Sequence, residues 1–376
     1  MKATLYSKDR PLLHLDMSDS GYPVSIQDVI DNEHMPIGLV HTIQEKSMRW
    51  TRLKEWFEKR HIPNRREEIK IARRNFHNFE YYYHMPSLSD QYWLKHRSDD
   101  ETWKDINYFT NTYSTVHGDM FFTPWTVPDN QAPVESPDLT TNGVLIKRWK
   151  QDENNVSYLY KAGSKLYKQE PLSEVLASIV LQKMNLIPIL PYTLEIEGMR
   201  LCSRCQNFIT ADTEYVPAID VYNYEPIEEK ETNYEHYLHM CEKLGIKNAK
   251  ETTDLMIGMD VLIGNKDRHY GNFGFIRDVE SGKITGFAPL FDNGQSFWGI
   301  SGTQGTKKDQ FKDERKRCLE LVLERINKSA LKDVEGLIHM VKQYPGISSE
   351  QKAAINEQIT NFSQNLEVSK VDVLER

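Results

Sequence analysis

"LIGNKDRHYGNFGF", residues 262–275, sets Asn265, Asp267, Arg268, His269 and Asn272 among apolar neighbours. It follows directly on "DLMIGMDVLIG" (254–264), whose composition reads as a buried helix. Polar side chains beside a core are costly unless each finds a partner. The stretch is therefore either a hydrogen-bonded turn or a set of groups arranged for a ligand.

Its spacing favours a ligand. A phosphoryl-transfer site needs a carboxylate to orient or accept a hydroxyl proton, and oxygen ligands for one or two Mg2+ ions. Protein kinases provide these as H-R-D-x-x-x-x-N, with the Asn five residues after the Asp. Here Asp267 precedes Asn272 by that interval, with the Arg and His on the other side of the Asp. A second carboxylate belongs on a following hairpin, and "APLFDNGQS" (288–296) supplies Asp292-Asn293-Gly294.

The flanking chain has a matching outline. Upstream, "GVLIKRW" and "VSYLYKAG" read as strands joined by the turn "QDENN". "EPLSEVLASIVLQKMNL" (170–186) reads as a helix buried through Val175, Leu176, Ile179 and Val180. "YTLEIEGMRLCSRCQNFIT" (192–210) reads as a hairpin through Glu197-Gly198. Beyond these, "EHYLHMCEKLG" (235–245) and "ETTDLMIGMDVLIG" (251–264) are helical in pattern. "NFGFIRD" and "KITGFAPLFD" form a hairpin across "VESGK", and helices follow over 308–326 and 351–367. The expected fold class is α+β: a two-lobed, protein-kinase-like fold with a small sheet-containing N-lobe and a mostly helical C-lobe.

An N-terminal extension precedes the lobes. The Pro-, Asn-, Asp- and Thr-rich stretch 123–143 marks its boundary, giving an extension over 1–130, an N-lobe over 131–215 and a C-lobe over 216–376. Within the extension, 47–74 reads as two helices broken at Ile62-Pro63-Asn64. Trp50, Leu53, Trp56 and Phe57 form a core stripe there, since Glu residues among the basic ones argue against a nucleic-acid surface. Residues 87–111, opening on "SLSDQYW", read as an ordered loop with a short helix.

"GNKDRHYGNFGF" together with "FDNGQS" closely resembles the HipA-like kinases, whose loop reads N-x-D-R-H-x-x-N. The resemblance covers roughly residues 136–345. Five fixed residues at about 1 in 20 each, scanned over the chain, give a chance match on the order of 10⁻⁴. The resemblance implies Asp267 as catalytic base, Asn272 and Asp292 as Mg2+ ligands, and Asn265, Arg268 and His269 as braces of the loop. It implies Lys161 in "SYLYKAG" as the ATP-phosphate lysine and Glu174 as its ion-pair partner, although Ser173 stands where the family has Asn. Gly143 and Lys147 match the family's phosphate loop of Gly, three residues, then Lys. HipA-like kinases phosphorylate that loop, which makes Thr140 and Thr141, near Ser136 in "SPDLTTNG", candidates for autophosphorylation.

The implied activity is ATP- and Mg2+-dependent transfer to a hydroxyl, with protein Ser/Thr as acceptor and a serine/threonine kinase as the class. D-R-H-x-x-N also resembles the catalytic loop of phosphoinositide kinases, which keeps a lipid or small-molecule acceptor open. An ATP-binding interaction module with little turnover also stays open, as does the toxin half of a toxin–antitoxin pair neutralised by a protein partner. "CSRC" (202–205) is a lone C-x-x-C and poor evidence for zinc, and His236 and His239 read as structural.

Bulk properties exclude other classes. The 376 residues carry a net charge of −8, with pI near 5.9, so no basic field argues for nucleic acid. No apolar run approaches the roughly 20 residues of a bilayer span, and the first twenty residues lack a signal-peptide core. Four cysteines do not make a disulfide framework in this length. A cytoplasmic location is expected.

Overall fold

The computed structural model describes residues 1–19, 21–40, 46–64, 66, 84–123, 135–164, 169–297 and 310–326, with isolated positions 349, 353 and 360. The second half of the 47–74 helical pattern, residues 124–134 of the 123–143 boundary and nearly all of the helix expected over 351–367 lie outside the described residues.

Alternation begins at once. Strand β1 (Lys2–Ser7) buries Ala3, Leu5 and Ser7 on one face, and β2 (Arg10–Met17) pairs with it antiparallel. With β3 (Pro23–Val29) and β4 (Tyr92–His96) they make an antiparallel sheet in the order β3-β2-β1-β4. The short helix α1 (Ile37–Val40) and the longer α2 (Lys46–Lys59) cover it. Leu53 and Phe57 of α2 are fully buried there, with Trp50 and Trp56 packed beside them, so the aromatic stripe is core. The sheet itself corrects the sequence reading: 92–96 is the edge strand paired with β1 rather than loop. Four of its five residues are buried, so it lacks the period-two signal that marks a half-exposed strand. Short helices α3 (Trp103–Ile106) and α4 (Val116–Phe122) complete this part.

The small lobe is a second antiparallel sheet, order β5-β6-β8-β7, from β5 (Lys147–Gln151), β6 (Ser157–Ala162), β7 (Thr193–Glu197) and β8 (Arg200–Gln206). Helix α5 (Glu170–Met184) lies against it, with Val175 and Ile179 packed with Leu159, Tyr192 and Cys205. Leu172, Leu176 and Val180 face the other way, into the main core. One helix therefore serves both lobes.

The large lobe holds α6 (Ala218–Tyr222), α7 (Asn233–Lys243), α8 (Ala249–Ile263) and α9 (Arg315–Arg325). A three-stranded sheet, β11-β10-β9, joins β9 (Thr213–Pro217) to the hairpin of β10 (Gly274–Asp278) and β11 (Ile284–Phe287). Helices α8 and α9 cross so closely at Gly258 that a Cβ there would stand 2.2 Å from the Cys318 carbonyl oxygen. The pattern over 308–326 predicts a longer helix than α9. Residues 311–314 turn instead, which seats Phe311 against Tyr234, Tyr270 and Phe273. Burying that ring outweighs one more turn of exposed helix. Among the described residues no helix is long and apolar enough to cross a membrane.

Candidate active site

Helix α8 stops at Gly264, whose left-handed backbone (φ +67°) caps it and sends the chain into the polar stretch. The partner that stretch requires is Asp260, buried in the helix's last turn. Its carboxylate accepts from Asn265 Nδ2 (2.8 Å) and from Arg268 Nε (2.8 Å) and Nη2 (3.0 Å). Arg268 spends its remaining donors on the Asn272 carbonyl (2.9 Å), the Phe291 carbonyl (2.8 Å) and Asn293 Oδ1 (2.5 Å). A planar guanidinium with five donors suits this position, where an ammonium would leave acceptors unpaired.

These bonds fix the loop. Asn265 Oδ1 accepts the Asp267 amide (3.3 Å), Asn272 Nδ2 donates to the Asp267 carbonyl (2.6 Å), and Asn272 Oδ1 accepts the His269 amide (3.0 Å). His269 Nδ1 accepts the Gly271 amide (2.9 Å). Asp267 itself is half-buried, its backbone held on both sides by amide side chains. Sequence reasoning missed Asp260. A single acid inside an apolar helix was the available signal.

A second set of groups meets this loop through Arg268. The side chain of Lys161, on β6, donates to Glu174 Oε2 (3.0 Å) on α5 and to Asp292 Oδ1. Glu174 Oε1 accepts the Asn293 amide (2.7 Å), closing a chain from small-lobe strand to helix to hairpin segment to loop. Burial alone would lower the Lys161 pKa, but the two carboxylates override it and hold the lysine charged. Burial likewise opposes ionisation of Asp292, while Lys161, Lys147 and Arg268 hold its carboxyl below the usual range. Asp292 adopts a left-handed backbone (φ +61°), a strained setting that Asp tolerates better than most residues.

The phosphate-loop candidates lie on the same side. Gly143 has φ +98°, and a Cβ there would collide with Lys147 Nζ at 2.3 Å. That ammonium donates to the Asn142 carbonyl (2.7 Å), while Arg66 donates to the carbonyls of Thr141 (2.6 Å) and Gly143 (2.8 Å). Burial, with Arg66 and Lys161 nearby, pushes the Lys147 pKa down to about 7. Thr140 Oγ1 donates to the Pro86 carbonyl (2.9 Å). Thr141 Oγ1 donates to the Pro137 carbonyl (2.5 Å) and accepts from Trp149 Nε1 (2.8 Å).

The donors suit the groups the sequence implies. Asp292 and Asn272 offer hard oxygen ligands of the kind Mg2+ takes, and Lys147 and Lys161 offer cations for phosphate. The buried hydroxyl of Tyr215 and the amide Nδ2 of Asn293 have no hydrogen-bond partner among the described residues. Tyr215 stacks edge-on to Phe291 and Phe208, beside this cluster, so polar capacity and an apolar aromatic wall stand together.

Other clusters are structural. Cys202 and Cys205 face opposite sides of β8, one packed with Ile62 and Phe121, the other with Val175 and Tyr192, so they cannot share a metal. The ring nitrogens of His236 face Glu231 (3.1 Å) and the Tyr222 carbonyl (2.9 Å), and His239 faces Glu231 (3.1 Å). His84, Asp99 and Glu101 bring ligand atoms within 4.8 Å of one another. Each nitrogen of His84 already faces a carboxylate, Glu135 or Asp99. Those carboxylates outweigh burial and raise the pKa of His84, so their hydrogen bonds to the ring account for the cluster.

No family model and no curated protein matches the chain. Solved structures do. HipA, in the complex of HipA, HipB and operator DNA from Shewanella oneidensis MR-1, aligns with a TM-score of 0.60 at 11% identity, covering 97% of this chain and 96% of that one. The proinflammatory kinase CtkA of Helicobacter pylori aligns with a TM-score of 0.49 at 20% identity, covering 61% of this chain and 94% of that one. The HipA likeness extends over nearly the whole chain and gives the fold: two-lobed and protein-kinase-like.

Proposed function

We propose that the protein is an ATP- and Mg2+-dependent kinase of the HipA-like kind, transferring the γ-phosphate to a hydroxyl on protein Ser or Thr. One observation carries the proposal: Lys161, Glu174 and Asp292 form one ion-paired group, and Arg268 ties its hairpin segment to the loop bearing Asp267 and Asn272. Neither set of residues is adjacent to the other in sequence, so the convergence is not a by-product of the motif.

Each role follows from chemistry already described. Asp267 accepts the hydrogen bond of the acceptor hydroxyl and takes its proton as the bond to phosphorus forms. Asn265 and Asn272 hold its backbone, which keeps the carboxylate from swinging away. Lys161, oriented by Glu174, and Lys147 neutralise phosphate oxygens. Asp292 and the Oδ1 of Asn272 would hold Mg2+, and the cations around Asp292 keep it in the ionised form that a ligand requires. When bound, Mg2+ supplies charge neutralisation at the β- and γ-phosphates.

Mass spectrometry of the protein and of lysate proteins after incubation with Mg2+-ATP tests this. Phosphate on protein Ser or Thr is expected. Label confined to lipid or metabolites would move the acceptor class, and ATP bound without turnover would leave only an interaction module. Autophosphorylation at Thr140 or Thr141 belongs to the same proposal. A dianion there would break the bonds to Pro86 or Pro137 and draw on Lys147 and Arg66, weakening ATP binding. Peptide mapping of 136–143 reads it directly. A neutralising protein partner and a cytoplasmic location complete the reading. The former is supported by the presence of HipB in the HipA complex.

A further inference from the structure

The stretch "SLSDQYW" lies between the two segments that hold a nucleotide in a kinase fold. Residues 86–91 touch both. At one end the Pro86 carbonyl accepts the Thr140 hydroxyl of the phosphate loop (2.9 Å). At the other, the Leu88 carbonyl accepts Asn207 Nδ2 (3.0 Å) and the Ser89 carbonyl accepts the Tyr215 amide (2.8 Å). Gln91 Nε2 then donates to the carbonyls of Thr210 (2.6 Å), on the connection between β8 and β9 that links the lobes, and of Thr213 (2.8 Å), the first residue of β9.

The strip is stiff as well as connected. Gln91 is 0% exposed. Ser87 and Ser89 bond each other (2.8 Å), Asp90 pairs with Arg60 (2.6 Å), and Tyr92, next after Gln91, opens β4. A buried amide held to two carbonyls transmits displacement, because its bonds have no water to exchange with. Arg66, from the same N-terminal part, grips the phosphate loop at Thr141 and Gly143.

We propose that this strip is a strut setting the phosphate loop relative to the lobe connection, with Gln91 and Arg66 as positioning residues for the nucleotide. The first ninety-odd residues then act on ATP affinity rather than standing apart as an appendage. The proposal rests on the kinase reading for its ligand, but not for its mechanics.

The test uses the full-length chain carrying Gln91→Met, which keeps length and removes both donors. In hydrogen exchange without nucleotide, peptide 138–147 is expected to exchange at least fivefold faster, although both side-chain bonds removed are to residues 210 and 213. Amides of helix α8 should be unchanged. The Kd for Mg2+-ATP should rise about tenfold, with kcat at saturating ATP within twofold of wild type. Thr140→Val, cutting the other end, should loosen 207–213 in turn. Should Gln91→Met unfold the chain as a whole, Thr140→Val decides by that same measurement. Loosening confined in each variant to the segment it touches, or a lowered Tm with ATP affinity intact, would overturn the strut and leave ordinary packing. If wild-type protein fails to bind Mg2+-ATP the kinase reading falls, and the exchange data still decide the strut.

Discussion

At the scale of single residues, charge decides most of the behaviour. Asp267→Asn keeps size and hydrogen bonding but removes the charge that takes the hydroxyl proton. Turnover should fall by about 10² or more, with Mg2+-ATP binding within a few-fold of wild type by calorimetry. Asp292→Ala should instead abolish the Mg2+ dependence of nucleotide binding. Lys147 gives a pH signature. Its pKa near 7 lies below the usual lysine value, and an arriving phosphate anion would raise it. At pH 8 nucleotide binding should therefore take up close to one proton, visible as a dependence of the calorimetric heat on buffer ionisation enthalpy, and lost in Lys147→Met. The stability sign follows from linkage. Below pH 7 both folded and unfolded chains carry the proton and the burial penalty is full. Between pH 7 and the unfolded pKa the unfolded chain binds more protons, so stability rises with pH. Lys147→Met should therefore stabilise by on the order of 2 kcal/mol at pH 6 and by little near pH 10. The loop around Asp267 was legible because its chemistry compresses five polar residues into eight positions. Asp260 and Arg66 were not, since each is one charge without a spacing, and only the folded chain shows what it holds.

Among elements, the junction of helix α8, its loop and the Asp292 segment behaves as one unit because Arg268 belongs to all three. Arg268→Met would leave Asp260 buried without its counter-charge, held by the Asn265 amide alone of the two residues that now donate to it, at a cost of about 3–5 kcal/mol. A chemical-denaturation midpoint well below wild type is expected, whereas Arg268→Lys should recover only part of it because an ammonium lacks the fork. The strand, strand, helix, strand, strand order of the small lobe was readable from alternation and a turn at Glu197-Gly198, as was the β10–β11 hairpin. The extent of α9 was not, because residues 311–314 before it turn to seat Phe311 rather than follow helix periodicity. The pairing of β4 was also hidden. A strand buried nearly throughout reads like any short apolar run, and its partners are some ninety residues away.

For the whole molecule, the N-terminal sheet is bolted to the large lobe by Arg277. Its guanidinium donates to Glu214 (2.8 Å), to the carbonyls of Met35 (2.8 Å) and Glu33 (2.6 Å), and to the Tyr92 hydroxyl (3.2 Å). Arg277→Met should release that sheet, so that amides of residues 2–17 lose protection before those of α8. Simultaneous loss across both would show one cooperative unit instead. The two-lobed fold expected from the motif and the element order is the one observed, and HipA shares it over nearly the full length. What no local pattern could announce is that the first part of the chain bonds both the 140–143 segment and the connection between β8 and β9. One further property bears on how such movements can be watched. All four cysteines are buried and unpaired, and burial pushes each thiol up to about 12. At neutral pH they are poor nucleophiles. A cysteine placed at the exposed Met199, on the tip of the β7–β8 hairpin, would then outcompete them for a maleimide dye. Site-specific fluorescence labelling should need no cysteine-free background.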